Sequence, residues 1–163
     1  MSTTAKQELI DLINHDNNTS LQASDVTISA PEVVDYQGRN TKVVVSANPD
    51  TQFSGSMNIY YNRLSLPALG TLDASSPVPL TVSDFLTLLS NQKKIDLLAE
   101  EFDDIVLPDI QIGEVVKIPI VAKSGAIKWY GQTVADYTLG FPPEYDIFDH
   151  FVNVTLPSYN LLG

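Results

Sequence analysis

Apolar residues fall at helical spacing twice along this chain. Leu9, Ile10, Leu12 and Ile13 share one face of Lys6–His15, and Phe85, Leu86, Leu88 and Leu89 share one face of Val82–Asn91. Each pattern predicts a short amphipathic helix. Asp16-Asn17-Asn18 ends the first, because these side chains favour turns, and Thr81 or Ser83 caps the start of the second. Between and after the helices the period changes to two. Val26-Thr27-Ile28 is a half-buried strand that stops near Pro31, Tyr36–Asn40 is a turn, and Lys42–Ala47 is the strongest strand of the first half. Asn48-Pro49-Asp50 turns the chain into a long alternating strand, Ser54–Leu64. In the second half Ile105–Leu107 ends at Pro108, and Val115–Ala122 pairs with Lys128–Leu139 around Ser124-Gly125. Pro119 inside that hairpin predicts a sheet edge or a bulge.

The two patterns superpose at a shift of 76 positions. Leu9, Ile10, Leu12 and Ile13 fall on Phe85, Leu86, Leu88 and Leu89; Leu21 and Ala23 fall on Leu97 and Ala99; Val26 on Phe102, Phe53 on Trp129, Gly55 on Gly131 and Tyr61 on Tyr137. The identities are too few to carry the case. Order and spacing carry it. The expected architecture is α+β, with two tandem repeats, each a short helix plus a three-stranded antiparallel sheet. Residues 1–66 form the first repeat, 67–80 a Pro- and Ser-rich linker, 81–140 the second repeat and 141–163 a C-terminal aromatic tail. The tail, with Phe141, Tyr145, Phe148, Phe151 and Tyr159, has no counterpart in the first repeat. Its one alternating run, Val152–Leu156, either adds a strand to its own sheet or reaches a neighbouring subunit. The first of these is favoured, since so many solvated aromatics would be costly.

Composition narrows the function. A formal net charge of −11 argues against nucleic acid and against an anionic membrane surface as partners. With no cysteine there is no disulfide, thiolate nucleophile or Cys-based metal site. No stretch approaches a membrane span, and the N-terminal residues lack a signal-peptide apolar block, so synthesis in the cytoplasm is expected.

Candidate chemistry is sparse. His15 and His150 lie far apart with no shared carboxylate, which makes a poor metal or acid–base pair. Glu100-Glu101-Phe102-Asp103-Asp104 is the densest acidic cluster, but it lacks the alternating ligands and glycine turn of a calcium loop and reads as a solvated turn. Glu144, Asp146 and Asp149 read the same way. There is no Gly-x-Ser-x-Gly elbow, and Ser54-Gly55-Ser56 lies in a strand, where its twin at Gly131 marks a structural glycine. The N-x-S/T matches in Asn17-Asn18-Thr19-Ser20 and Asn153-Val154-Thr155 are discounted for want of a secretion signal. No catalytic, cofactor-binding or metal-binding residue is assigned, no cofactor is expected, and the chain reads as a non-enzyme. Trp129-Tyr130 and Tyr60-Tyr61 stand at related points of the two repeats; one of each pair is expected to face the core.

Three segments together resemble a known family. They are Ser20–Val26, Asn40–Ala47 with its Asn-Thr opening, and Gly55–Leu64, which ends in Tyr60-Tyr61-Asn62-Arg63. This pattern resembles a family of uncharacterised virion proteins of tailed bacteriophages. Leu97–Glu101 and Ala126–Gly131 resemble the weaker second copy seen in those proteins, which here loses the Tyr-Tyr-Asn-Arg ending at Asp136-Tyr137-Thr138. The resemblance spans residues 6–140. It implies a non-enzymatic structural component of the phage particle (head decoration, neck, tail or baseplate), homo-oligomeric and in contact with other virion proteins. It implies no catalytic residues. Free edges at Ser54–Leu64 and Val115–Ala122 would suit strand addition between subunits. The first alternative is a small ligand- or receptor-binding module that holds carbohydrate on Trp129, Tyr130, Tyr60 and Tyr61. The second is a hydrolase using the acidic cluster, with Glu101 essential.

Overall fold

Thr4 and Thr81 each begin a helix by the same device. In the computed structural model, which describes residues 4–140, the Thr4 hydroxyl accepts from the Gln7 N–H and opens helix α1, Ala5–Asn17. The Thr81 hydroxyl accepts from the Asp84 N–H and opens α2, Val82–Lys93. Of the two cap candidates, Thr81 is the one used. Both helices end in a left-handed residue, Asn18 at φ 53° and Lys94 at φ 55°. Leu9, Ile10 and Ile13 are buried on α1, and Phe85, Leu86 and Leu89 on α2. The remaining member of each apolar face points outward, Leu12 at 60% exposure and Leu88 at 36%.

The first sheet is antiparallel throughout. It holds β1 (Val26–Ile28), β2 (Glu32–Tyr36), β3 (Arg39–Ala47) and β4 (Ser56–Tyr61). β3 is central: β1 and β2 follow one another along one side of it and β4 lies on the other. Thr41, Val43 and Val45 point into the core with α1, so the period-two reading of this strand holds. The sequence reading missed β2, taking Tyr36–Asn40 as a turn. The turn is tighter, at Gln37-Gly38, both at positive φ, which lets two strands meet there as a hairpin. The expected long strand 54–64 breaks after Tyr61, and the chain re-forms a two-residue strand, β5 (Leu64–Ser65).

The second sheet is mixed. β6 (Leu72–Ser76), β7 (Val115–Val121) and β9 (Gln132–Leu139) assemble with β9 in the middle, antiparallel to β7 and parallel to β6. β8 (Trp129–Tyr130) pairs in parallel with β5. Two expectations change here. The stretch 67–80, read as linker, contains a 3-10 turn at Pro67–Leu69 and then β6, in which Leu72, Ala74 and Ser76 are buried. Its Ser- and Pro-rich flanks mask a five-residue alternation. Ile105–Leu107 is not a strand; pairing in that region shrinks to one bridge, Phe102 to Ala122. Pro119 is tolerated because β7 is an edge strand among the described residues.

The chain is thus α+β, with two helices and antiparallel pairing dominant. Its core has two clusters. The larger joins Leu66, Phe85, Leu89, Phe102, Ile118, Ile120, Trp129 and Tyr137; the smaller joins Leu9, Ile10, Ile13, Val26, Val43 and Val45. The aromatic tail, 141–163, lies outside the described residues.

Local bonds recur between the halves. The Leu21 N–H donates to the Asn14 side chain at 2.8 Å and the Leu97 N–H to the Ser90 side chain at 2.9 Å. Asp25 N–H donates to Gln22 O and Glu101 N–H to Leu98 O, both at 3.0 Å. Ala47 N–H donates to Gly55 O at 2.9 Å and Ala122 N–H to Gly131 O at 3.0 Å. Gly55 and Gly131 hold nearly the same backbone angle, φ 85° and 84°.

Candidate docking edge

The Asn-Thr opening of β3 and the Tyr-Tyr-Asn-Arg ending of β4 lock together. The Asn40 N–H donates to Asn62 Oδ1 at 2.9 Å, the Arg63 N–H to Asn40 Oδ1 at 2.8 Å, and Asn40 Nδ2 to the Arg63 carbonyl at 3.1 Å. This lock aims Arg63 inward. Its Nε donates to Thr41 Oγ1 at 3.1 Å and its Nη1 to the Ala126 carbonyl at 3.3 Å, while its guanidinium lies 5.7 Å above the Tyr130 ring. Tyr61 donates its hydroxyl to the Ile127 carbonyl at 2.7 Å, and Tyr60 stacks on Tyr36 with ring centroids 4.3 Å apart. Burial pushes the Tyr61 phenol up to about 12; Arg63 opposes the rise and Glu101 adds to it. The motif that carries the resemblance is therefore the fastening of the first half onto residues 126–130 of the second.

The acidic cluster completes that joint and is not a solvated turn throughout. Glu101 is 4% exposed, and its carboxylate accepts from the N–H groups of Ile127, Lys128 and Trp129 at 3.1, 2.8 and 3.3 Å. A carboxylate can leave water when several donors replace its hydration, and a turn of successive N–H groups supplies them. Glu100 Oε1 accepts from the Ala5 N–H at the start of α1, at 2.9 Å. Lys128 and Glu8 close the joint with a 2.8 Å ion pair. Sequence reading missed both roles, since their donors lie far along the chain; the only local signal was two acids beside the buried Phe102.

Beyond the joint, β4 is left half open. It pairs with β3 alone among the described residues, and Met57 at its start is exposed. Between this edge and α1 runs an open groove of about 690 Å³ whose apolar lining is Leu9, Leu12, Ile13, Ile59 and Tyr61, with Asp16, Arg39 and Asn62 at its rim. A smaller recess of about 200 Å³, with Leu9, Leu12, Tyr61 and Leu64 in its walls, continues it toward Ile127 and Lys128. An unpaired row of backbone groups beside apolar wells is the geometry of strand addition. The other expected edge, Val115–Val121, is open along most of its length among the described residues, with Val115 exposed; the Asp103 N–H bonds to Val121 O at one end.

The remaining candidates fall apart in space or in exposure. Trp129 is buried at 1% exposure, its Nε1 without a hydrogen-bond partner among the described residues, whereas Tyr130 faces out. One residue of that pair faces the core, as expected, and the four aromatics do not form one exposed platform. His15 is exposed, with its Nδ1 3.1 Å from Asp16 Oδ1. Among the described residues no group of His, Asp or Glu converges as a metal site, and no helix is long and apolar enough to cross a membrane. His150, Glu144, Asp146 and Asp149 lie outside the described residues.

A family model, described as a family of unknown function (DUF7941), matches residues 1–159. The chain belongs to this family. No curated protein and no solved structure matches it. The match runs from before α1 to beyond β9.

Proposed function

We propose that this DUF7941 chain is a duplicated α+β unit serving as a non-enzymatic bacteriophage virion structural protein, assembled through contacts with other copies and other particle proteins. The observation that carries the reading is the open edge of β4 beside its apolar groove, reinforced by the second open edge at β7. Soluble proteins normally blunt or cover such edges. Here Pro119 blunts β7, while β4 has no proline and no inward-pointing charge. The duplication is supported by the recurrent caps, turns and positive-φ glycines, each at the offset found in the sequence or within one residue of it. The phage assignment rests on the resemblance of the Asn-Thr and Tyr-Tyr-Asn-Arg segments, and their interlock gives them a structural rather than a catalytic purpose. The carbohydrate reading loses its main ring, because Trp129 is interior.

The test is quantitative peptide mass spectrometry on purified particles of the source phage, counting this protein against the major capsid protein. Hundreds of copies would indicate head decoration or the tail shaft; six or twelve would indicate the neck, tail end or baseplate. Absence from particles, with the protein made in infected cells, would overturn the reading.

A further inference from the structure

The edge that lies open in the first half is covered in the second. β9 corresponds to β4, and its outer edge carries β6 in parallel, with Leu72 beside Ala135, Asp73 beside Asp136 and Ala74 beside Tyr137. β6 reaches it from the first half, by the connection that leaves β4. On the way Pro67 packs over Gly131, with its Cδ 3.2 Å from where a Cβ would stand. At Gly55, the counterpart of Gly131, nothing lies within 4 Å of that point among the described residues. Among the described residues the first half thus lacks two things the second half has: a proline on its glycine and a strand on its edge.

The segment after β9 carries the same sequence signals in the same order, a proline and then an alternating run. Pro143 stands at the same offset from Pro67 that separates the two halves. Val152-Asn153-Val154-Thr155-Leu156-Pro157 repeats the character of Leu72-Asp73-Ala74-Ser75-Ser76-Pro77: apolar, Asp or Asn, apolar, Ser or Thr, one residue, then proline. The connections from Tyr61 to Leu72 and from Leu139 to Val152 are of similar length. Each half is followed by a segment of this sequence pattern, and after the first half that segment is β6.

Which copy receives it follows from the way the halves touch. The first half engages the second through Ala5, Glu8, Tyr61, Arg63 and β5, all against residues 100 and 126–130. A twofold arrangement would also set α2 and Tyr137 against the turn at 50–55. The described residues make no such bonds; Tyr137 accepts from the Leu80 N–H instead. The contact is one-sided, head to tail. Such an interface does not close on itself, and its next step falls on another molecule. We infer that the open edge of β4 and its groove receive residues 143–157 of a second copy of this chain, with Val152–Leu156 added as a parallel strand, so that copies join head to tail into a ring or filament. This rests on the assembly reading above and names its partner.

The register follows from β6 and β9: Asn153 of one copy stands beside Tyr60 of the next, as Asp73 stands beside Asp136. The chain has no cysteine, so introduced pairs are the only thiols. Under mild oxidation the full chain carrying Asp73→Cys with Asp136→Cys should form a bond within each monomer and calibrates this strand geometry. The full chain carrying Tyr60→Cys with Asn153→Cys should instead form a ladder of covalent multimers, and a mixture of the two single variants should link in pairs. A bond confined to monomers would overturn the inference in favour of a tail folded on its own chain. No bond, with the calibrating pair formed, would overturn it as well. Val154→Asp should abolish self-association in size-exclusion chromatography without changing the circular dichroism, and unchanged self-association would count against the strand. None of these results touches the peptide count on particles, so the assembly partner and the virion reading fail separately.

Discussion

Around α2, the strand β9 has a neighbour on each side, β6 and β7, and the core beneath holds Phe85, Phe102, Trp129 and Tyr137. Around α1, β4 pairs with β3 alone among the described residues, and the buried cluster is built of Leu, Ile and Val, with Tyr61 half-buried at its margin. The two halves therefore differ in their degree of closure among the described residues. A covered edge lets large rings sit in the interior, since water reaches them from neither side. An open edge keeps the interior small and leaves apolar surface, Leu12 and Met57, for something else to cover. Closure around α2 depends on β6, a strand contributed by residues that precede that helix.

The contrast is sharpest at Glu101 and its counterpart Asp25. Glu101→Ala removes the acceptor for three N–H groups in a buried turn and should cost about 3 kcal/mol or more of unfolding free energy. Asp25 accepts from the Gln22 N–H at an exposed turn, so Asp25→Ala should cost about 0.5–1 kcal/mol. Urea unfolding of the two variants measures both. Equal losses would mean that the joint at 126–130 is not what Glu101 supports. Enzymatic loss without loss of stability would revive the hydrolase alternative.

Gly55 and Gly131 give a smaller but cleaner comparison. Both sit near φ 85°, so an alanine at either pays for the left-handed backbone, about 1–2 kcal/mol. Only Gly131 has Pro67 against it, so Gly131→Ala should be the worse by a further 1 kcal/mol or so. If residues 143–157 of a neighbour occupy the β4 edge as proposed, the gap should narrow in assembled protein. Denaturation midpoints of both variants, at dilute and assembling concentrations, would read this out.

Both helices, the end of the first, the N-cap of the second and the strands β1, β3, β7 and β9 were legible in the sequence because each is a local pattern. The Gly55 and Gly131 pair was legible for the same reason, as was the division of Trp129 and Tyr130 between core and surface. β6 was not, because in Leu72–Ser76 small polar residues take the place of β-branched ones and the prolines around it argue for a linker. β2 was hidden by exposure: Glu32, Val33, Asp35 and Tyr36 all face water, so no apolar alternation marks it. Glu101 was misread because its three donors are contributed by residues 127–129, a long-range fact. The open edge at 54–64 was named from its alternation, but its groove needs α1 beside it, and no spacing in the sequence places that helix.

Tyr61 and Tyr137 occupy matching positions, and their hydroxyls are used differently. Tyr137 lies inside the second core and accepts from the Leu80 N–H, while Tyr61 donates across the joint to Ile127 O. Because burial raises the Tyr61 phenol to about 12 from the usual 10.0, the folded state favours its neutral form. The stability this contributes is complete below the unfolded value and is lost as pH rises through the folded one, so the window runs from about pH 10 to about pH 12. Tyrosinate absorbance in the folded chain should show a late step near pH 12, absent in Tyr61→Phe, which at neutral pH should cost only about 1 kcal/mol for one hydrogen bond. If that step comes at the ordinary value, Tyr61 is solvated and the two halves are not fastened through it. If it is delayed further in the assembled protein, the strand added along β4 has closed over the ring.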